Sequence, residues 1–425
     1  MSWIVQQVKI LFSKYEKTKP IAVKFAFKYS FMLRDCIYNQ HPLRNHMTQY
    51  ISLFSGGGGL DLGLEAAGFE NLLATDVDEH SCKTLTKAKE ESTRRGKPFL
   101  QSSVILNEDI NKLSGAALLQ HVGLSRGQLP LLAGGPPCQA FSVFGKRKGL
   151  DDPRGQLAYK YIELVGEIAP DCFLFENVYG IMTIEKGAVF EDLMAQLSSP
   201  AEDLEYTLSV HRLNAVDFGV PQHRDRVFII GCKKGRKVKE IPVTHRSPED
   251  TRLDLPVYRN VGQALRGLPP AETGIIANHT GRKHSQRIID RYASLKPRER
   301  DPKTRINKLD LYTPSYTIIV GSDSGGGKGH VHPTEPREVT PRESARIQTF
   351  PDWWAFSGTS RHPIRQIGNA VPPLLAAEIG KAILKDIFGE ATFSTQEMID
   401  ILDLNHLYDD LDKCLQPDNQ LSIAV

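Results

Sequence analysis

The sequence predicts an α/β fold, a doubly wound and mostly parallel sheet joined to a smaller, loop-rich β domain, and three observations carry this reading. First, between about Tyr50 and Gly231, short apolar runs (YISLF, NLLAT, LPLLAG, CFLFEN, RVFIIG) alternate with helical stretches such as 156–169 and 188–198. Continuous apolar strands separated by helices belong to a parallel sheet covered on both faces. Second, these runs end in glycine-rich or polar turns, and open sheets of this kind bind ligands beyond the carboxyl ends of their strands. Third, residues 232–338 change texture, being rich in Pro, Gly, Lys and Arg, with short β-like pieces (YTIIV, GHVHP) and no long amphipathic helix.

The core is therefore expected to occupy residues 47–231 and to resume at 339–388, with 232–338 as the second domain. Helical character returns at 341–349 (PRESARIQT) and 371–387 (VPPLLAAEIGKAILKDI), the second packing its Leu/Ile/Ala face on the sheet. Residues 1–46 and 389–425 read as additions, the latter acidic (LYDDLD) with room for a short amphipathic helix. The first 46 residues carry eight Lys/Arg and two acidic residues. Strand one needs nothing before Tyr50, so a chain starting at Met47 is expected to fold.

The 425 residues carry a net charge of +3. This mild balance does not by itself mark a nucleic-acid binder. Residues 282–308 hold ten Lys/Arg against three acidic residues; alone, such a run reads as a solvated surface. The six cysteines show no CxxC spacing, which excludes a thioredoxin-like pair and leaves no metal site expected. Sparse cysteines and the absence of a bilayer-length apolar run or cleavable leader lead to a cytoplasmic expectation.

Four stretches carry chemistry. In ISLFSGGGGLDLGLEAAG (51–68), a strand gives way at Phe54 and Ser55 to Gly56, Gly57, Gly58 and Gly59, then to a helix from about Leu60. Glycines let the backbone turn sharply and approach a ligand closely. About twenty residues on, LLATDVDE ends a second strand, placing Asp76 and Val77 where an acidic residue meets ribose hydroxyls. The glycines do not follow GxGxxG, which argues against NAD. In GGPPCQAFS (134–142), Pro136 and the proline after it limit backbone freedom and aim Cys138 from a strand end. In FLFENV (173–178), Glu176 and Asn177 end a hydrophobic strand; partial burial would raise the pKa of such a carboxyl and let it act as an acid. In PQHRDRVFIIG (221–231), Arg224 and Arg226 alternate onto one face, and paired guanidiniums suit phosphate or base oxygens.

Taken in order, SLFSGGGG, PPCQ, ENV, QxRxR, a variable basic region, RESARIQTFPD and GNAVPP resemble the DNA (cytosine-5)-methyltransferases, the bacterial modification enzymes of type II restriction systems. The resemblance covers about residues 50–231 and 332–388. It implies an S-adenosylmethionine-dependent methyltransferase fold and S-adenosylmethionine as cofactor. Phe54, Ser55 and the four glycines would line its pocket, with Asp76, Val77 and Pro136. Asp76 stands where the family usually has Glu. Asp109 and Ile110 in NEDINKL resemble the pair that contacts adenine, with Glu108 in place of the usual glycine. Ser52 replaces the common Asp of the first motif. Asn369 in GNAVPP would help close the site.

The same resemblance implies that Cys138 attacks cytosine C6 and makes C5 nucleophilic, that Glu176 (with Asn177) engages N3, that Arg226 holds O2, and that Arg224 lies nearer the backbone phosphate. The base would be flipped from double-stranded DNA. Gln139, Ser142, Lys146, Arg147 and Arg154, in the glycine-punctuated loop 139–155, and Gln222 would contact that DNA. The region between QxRxR and RESARIQ would carry target recognition, including the basic run. A monomer paired functionally with a restriction endonuclease is expected. An RNA (tRNA) cytosine-5 methyltransferase is the competing enzyme; about 100 residues between the blocks and the lack of CFT weigh against it. A catalytically silent DNA-binding regulator would have no need of Cys138, Glu176 and Arg226 together.

Overall fold

The computed structural model describes residues 47–97, 99–137, 156–252, 254–318, 329–359 and 361–408. The N-terminal extension expected at 1–46 lies outside them. Seven strands form one sheet: β1 (Gln49–Leu53), β2 (Glu70–Asp76), β3 (Val104–Asn107), β4 (Leu131–Gly134), β5 (Cys172–Val178), β6 (Thr207–Asn214) and β7 (Asp225–Cys232). Their spatial order is β3-β2-β1-β4-β5-β7-β6. Strands β1 to β5 pair in parallel, while β7 runs antiparallel to both β5 and β6. The strand order reverses between β1 and β4, which opens a crevice at their carboxyl ends.

Alternation along β1 divides the core. Tyr50 points into the layer built by α1 (Gly59–Ala67), α2 (Glu79–Arg94) and the C-terminal helices. Ile51 and Leu53 point into the opposite layer, with α3 (Gly115–Val122), α4 (Gln156–Ile168) and α5 (Ala188–Ser198). Local chemistry sets the helix ends. Asp78 caps α2 by accepting from the Ser81 amide. Gly68, at a φ of 117°, ends α1 in the left-handed region.

Two expectations change. Residues 232–338 contain no sheet among the described residues. They hold α6 (Val261–Leu265), α7 (Gln286–Ser294) and isolated bridges such as Arg246 with Val257 and Lys308 with Val331. Frequent Pro and Gly interrupt any longer ladder. The segment has a small apolar cluster of its own, Tyr292, Leu295, Ile306 and Val331, but Val238, Ile241, Val261, Ala264 and Leu309 join the main core.

The C-terminal segment is also more than an addition. After α8 (Pro341–Ile347), α9 (Arg361–Asn369) and α10 (Pro373–Ile383) comes α11 (Thr395–Ile401), opened by a reciprocal Ser394–Glu397 capping box. It places Met398, Ile399, Leu402, Leu404 and Leu407 in the main core. Met398→Ala should therefore cost about 2–5 kcal/mol, read as a lower denaturant midpoint at unchanged slope. A dispensable appendage would show almost no change.

Candidate functional site

The site is built from turns at the carboxyl ends of β1, β2, β4 and β5, with the start of β7 beside them. After β1, Phe54 takes a φ of 56°, a left-handed conformation that costs a non-glycine residue on the order of 1–3 kcal/mol. The turn is then closed by Ser55 donating its amide to the Thr75 carbonyl and Gly58 donating to the Ser55 carbonyl. Two glycines are dictated by packing. A Cβ on Gly58 would stand 2.6 Å from Leu85 and Trp354, and one on Gly59 would stand 2.2 Å from the Val371 carbonyl oxygen. Trp354 Nε1 donates to the Gly57 carbonyl at 3.0 Å. Gly56 is the open position, its nearest neighbour for an added Cβ being the Phe54 carbonyl at 3.9 Å.

Asp76 ends β2 and accepts from two amides, Gly56 on Oδ2 and Asp78 on Oδ1, each at 2.8 Å. Burial raises its pKa, against the pull of those two bonds. It thus ties the glycine turn to the next turn, leaving each oxygen one further lone pair for a hydroxyl donor. Val77 beside it is 70% exposed, an apolar surface with no protein cover. Asn107, which the sequence did not single out, donates to the Asp76 and Val77 carbonyls at 3.0 Å. Asp109 caps the short turn that follows β3, accepting from Asn111. Ile110, at the start of that turn, is buried in the core layer that also holds Ile51 and Leu73. Asn369 is exposed at the end of α9.

The GGPP stretch follows β4. A Cβ on Gly134 would meet the Tyr161 ring at 2.9 Å and the Leu53 carbonyl at 3.0 Å; one on Gly135 would meet Glu176 Oε2 at 2.7 Å. The paired glycines therefore let the turn lie directly against the carboxyl group at the end of β5. Asn177 donates Nδ2 to the Pro136 carbonyl at 3.1 Å and accepts the Val178 amide on Oδ1. This corrects the expected catalytic role of Asn177: its buried amide ties the end of β5 to the proline turn through Pro136, while its oxygen turns back onto the Val178 amide. Cys138, Gln139, Ser142, Lys146, Arg147 and Arg154 lie outside the described residues.

Glu176 is 8% exposed, and its Oε1 pairs with Arg226 Nε at 3.0 Å. Register explains the meeting. Val178 is opposite Arg226 and Glu176 opposite Phe228, so Glu176 and Arg226 are diagonal neighbours on one face. Burial raises the Glu176 pKa above the usual carboxylate range; Arg226 and then Arg224 pull the other way. Arg226 also donates to the Asp225 carbonyl.

Arg224 and Gln222 are corrected more strongly. Arg224 is 0% exposed, and its Nη2 donates to the Gly368 and Ala370 carbonyls at 2.8 and 2.9 Å. No phosphate can reach it. It is a clamp that holds the chain on both sides of Asn369. Burial, then the neighbouring Arg226, lowers its pKa well below the usual value. Gln222 is also 0% exposed; it donates to Gln348 and accepts the Ile318 amide, both at 3.0 Å. It joins the turn before β7 to the PRESARIQT helix rather than touching DNA. No group of ligating side chains able to hold a metal occurs among the described residues.

The chain is similar to known proteins in sequence and in fold. The family described as C-5 cytosine-specific DNA methylase matches residues 48–385. The chain is 32% identical over 371 residues to the type II methyltransferase M.XorII of Xanthomonas oryzae pv. oryzae, covering 79% of this chain and 84% of that protein. It is 34% identical over 354 residues to the type II methyltransferase M1.HphI of Haemophilus parahaemolyticus, covering 79% and 86%. A solved structure described as a candidate DNA modification methyltransferase encoded within a prophage (E. coli) superposes with a TM-score of 0.64 at 28% identity, covering 80% of this chain and 99% of that one. The Dnmt2 methyltransferase of S. pombe shares the fold, with a TM-score of 0.54 at 16% identity over 79% and 98%. Because the family match takes in the glycine turn, the proline turn, the Glu176–Arg226 pair and the returning C-terminal block together, the chain belongs to the C-5 cytosine-specific DNA methylase family and is a DNA (cytosine-5)-methyltransferase.

Proposed function

We propose that the protein methylates C5 of a cytosine within a specific sequence of double-stranded DNA, through a covalent bond between Cys138 and C6 of a flipped-out base. The observation that carries this reading is the buried Glu176–Arg226 pair at 3.0 Å, set against the turn that leads into Cys138. A pyrimidine edge offers N3 and O2 side by side. A carboxyl group whose pKa is raised by burial suits the first and a guanidinium suits the second.

The residues present fit S-adenosylmethionine. The open face of Gly56, the lone pairs left on Asp76 and the uncovered Val77 offer a close backbone approach, a hydroxyl acceptor and an apolar plate for a flat ring. That cofactor supplies an electrophilic methyl group carried on a sulfonium. The thiolate is the nucleophile, so Cys138 must first give up its thiol proton to solvent, and its attack depends on aim. Its sulfur bonds to C6 while the C5–C6 electron pair shifts towards C5, and Glu176 gives its proton to N3. Arg226 holds O2 as the ring accumulates charge, a form of stabilisation worth most in a dry site. C5 then takes the methyl group. Loss of the C5 proton to a base re-forms the C5–C6 double bond as the S–C6 electron pair returns to the Cys138 sulfur, and the N3 proton passes back to Glu176, which restores the ring. Removing the base from the duplex costs about a few kcal/mol.

Residues 232–338 and the basic loop 139–155 are the DNA-recognition and DNA-closing parts in this reading. The modification would protect host DNA from a partner endonuclease.

Sequencing of DNA from a methylation-free expression host, with chemistry that reports 5-methylcytosine, should show one methylated sequence. Cys138→Ser should abolish it while S-adenosylmethionine binding stays nearly intact; turnover at the wild-type rate would rule out the covalent route. Glu176→Gln keeps a donor but has no acidic proton to give. Methyl transfer should fall by about 10²–10⁴-fold, with cofactor affinity within a few-fold of wild type. Moving residues 232–335 into a relative should move the methylated sequence with them; an active hybrid that keeps the recipient's sequence would show that recognition lies elsewhere. Neutralising a single phosphate-contacting Lys or Arg there should lower the salt slope of binding by about one unit.

A further inference from the structure

A buried carboxylate in α1 has no place in the reading above. Asp61 is 0% exposed and lies in the first turn of α1, immediately after the glycine turn. Its Oδ1 accepts from Tyr50 Oη at 3.3 Å and Asn71 Nδ2 at 3.4 Å, and Tyr50 Oη also reaches its backbone carbonyl. Its Oδ2 is buried without a hydrogen-bond partner. The Ser52 and Ser55 hydroxyls are nonetheless near enough to favour its ionised form; burial outweighs them and pushes its pKa up to about 6. An isolated carboxylate in such a place is costly, although the amino-terminal end of α1 favours negative charge.

What this carboxylate faces is the underside of the glycine turn. Ser55 Oγ donates to Ser52 Oγ at 2.9 Å, and the Ser55 carbonyl and amide close the turn around Gly56. Ser52 is the position at which the resembling family commonly has Asp. On a strand, side chains two apart share a face. Ser52 therefore points to the same side as Tyr50, into the layer that α1 covers. A carboxylate placed there would enter the space that Asp61 fills from the helix.

We infer that Asp61 is the positioning residue of the glycine turn, supplying from α1 a buried carboxylate where the resemblance implies one at the strand position of Ser52, and so holding the Ser52–Ser55 pair beneath the cofactor's approach at Gly56. One carboxylate satisfies the turn, from either of two positions. Two would repel in a dry space. This assignment rests on the reading that the turn takes S-adenosylmethionine.

The test compares wild type, Asp61→Asn, Ser52→Asp and the double variant Ser52→Asp/Asp61→Asn, all as full chains. Calorimetry gives the S-adenosylmethionine Kd, and amide hydrogen exchange at residues 55–58 is followed without cofactor. Asp61→Asn, nearly isosteric, should remain folded by circular dichroism, weaken the cofactor about tenfold or more and speed exchange in the turn. Ser52→Asp alone should do the same. The double variant should return both readouts to within about threefold of wild type. A folded Asp61→Asn protein with wild-type Kd and exchange overturns the assignment, as does a double variant no better than Asp61→Asn. Failure of the wild type to bind S-adenosylmethionine overturns both the assignment and the cofactor reading beneath it.

Discussion

The rest of the site depends on the seating of the C-terminal block on the glycine turn. No Cβ is possible at Gly59 because the Val371 carbonyl occupies its place, and none at Gly58 because Trp354 and Leu85 do. Trp354 adds a hydrogen bond to the Gly57 carbonyl, and Gln366 bridges Thr84 and the Ser357 carbonyl behind it. A chain that leaves the sheet after β7 must therefore come back to complete the wall of β1. Interiors are packed too densely to leave such a gap open. This is why the sequence resumes a core pattern at 341 after more than a hundred residues of irregular chain, and why α10 lies along α1.

Arg224 couples that returning block to the catalytic edge. Its two bonds to carbonyls, each about 1.5–3 kcal/mol when the donor is charged, roughly cancel the cost of two buried nitrogens left without partners, about 1–3 kcal/mol each. Stability alone does not account for an arginine here. Its effect is positional. It holds residues 368 and 370, hence Asn369, at a fixed distance from β7, while its charge lies near Glu176 and Arg226. Two guanidiniums beside a carboxyl group that burial shifts towards its neutral form leave the site positive, suited to a ring that gains electron density during attack.

Much of this was legible in the residues. CFLFEN and RVFIIG announced β5 and β7 because both faces of those strands are buried and their apolar runs are continuous. β6, TLSVHRLN, and β3, VILN, did not stand out; they are edge strands with exposed positions and mixed composition. Glu176 and Arg226 could be named from their strand ends and from family resemblance, and their diagonal register brings them together. Gln222, Arg224 and Asn177 were assigned to ligands from the family resemblance. Each is instead consumed by backbone or side-chain partners from segments remote in sequence. Sequence spacing carries no record of such partners. Asp61 was invisible for the same reason, since an acidic residue in a first helical turn ordinarily reads as a solvent-facing cap.

The central claim, that these strand ends direct sulfur addition to a cytosine ring, is tested most directly by trapping. A duplex carrying the recognised sequence with 5-fluorocytosine at the target cannot lose its C5 substituent as a proton, so the sulfur cannot be expelled after methyl transfer. Peptide mass spectrometry of the complex formed with S-adenosylmethionine should find the methylated, fluorinated base bonded to the peptide containing Cys138. A complex that dissociates fully on denaturation, or an adduct on any other residue, would contradict the account.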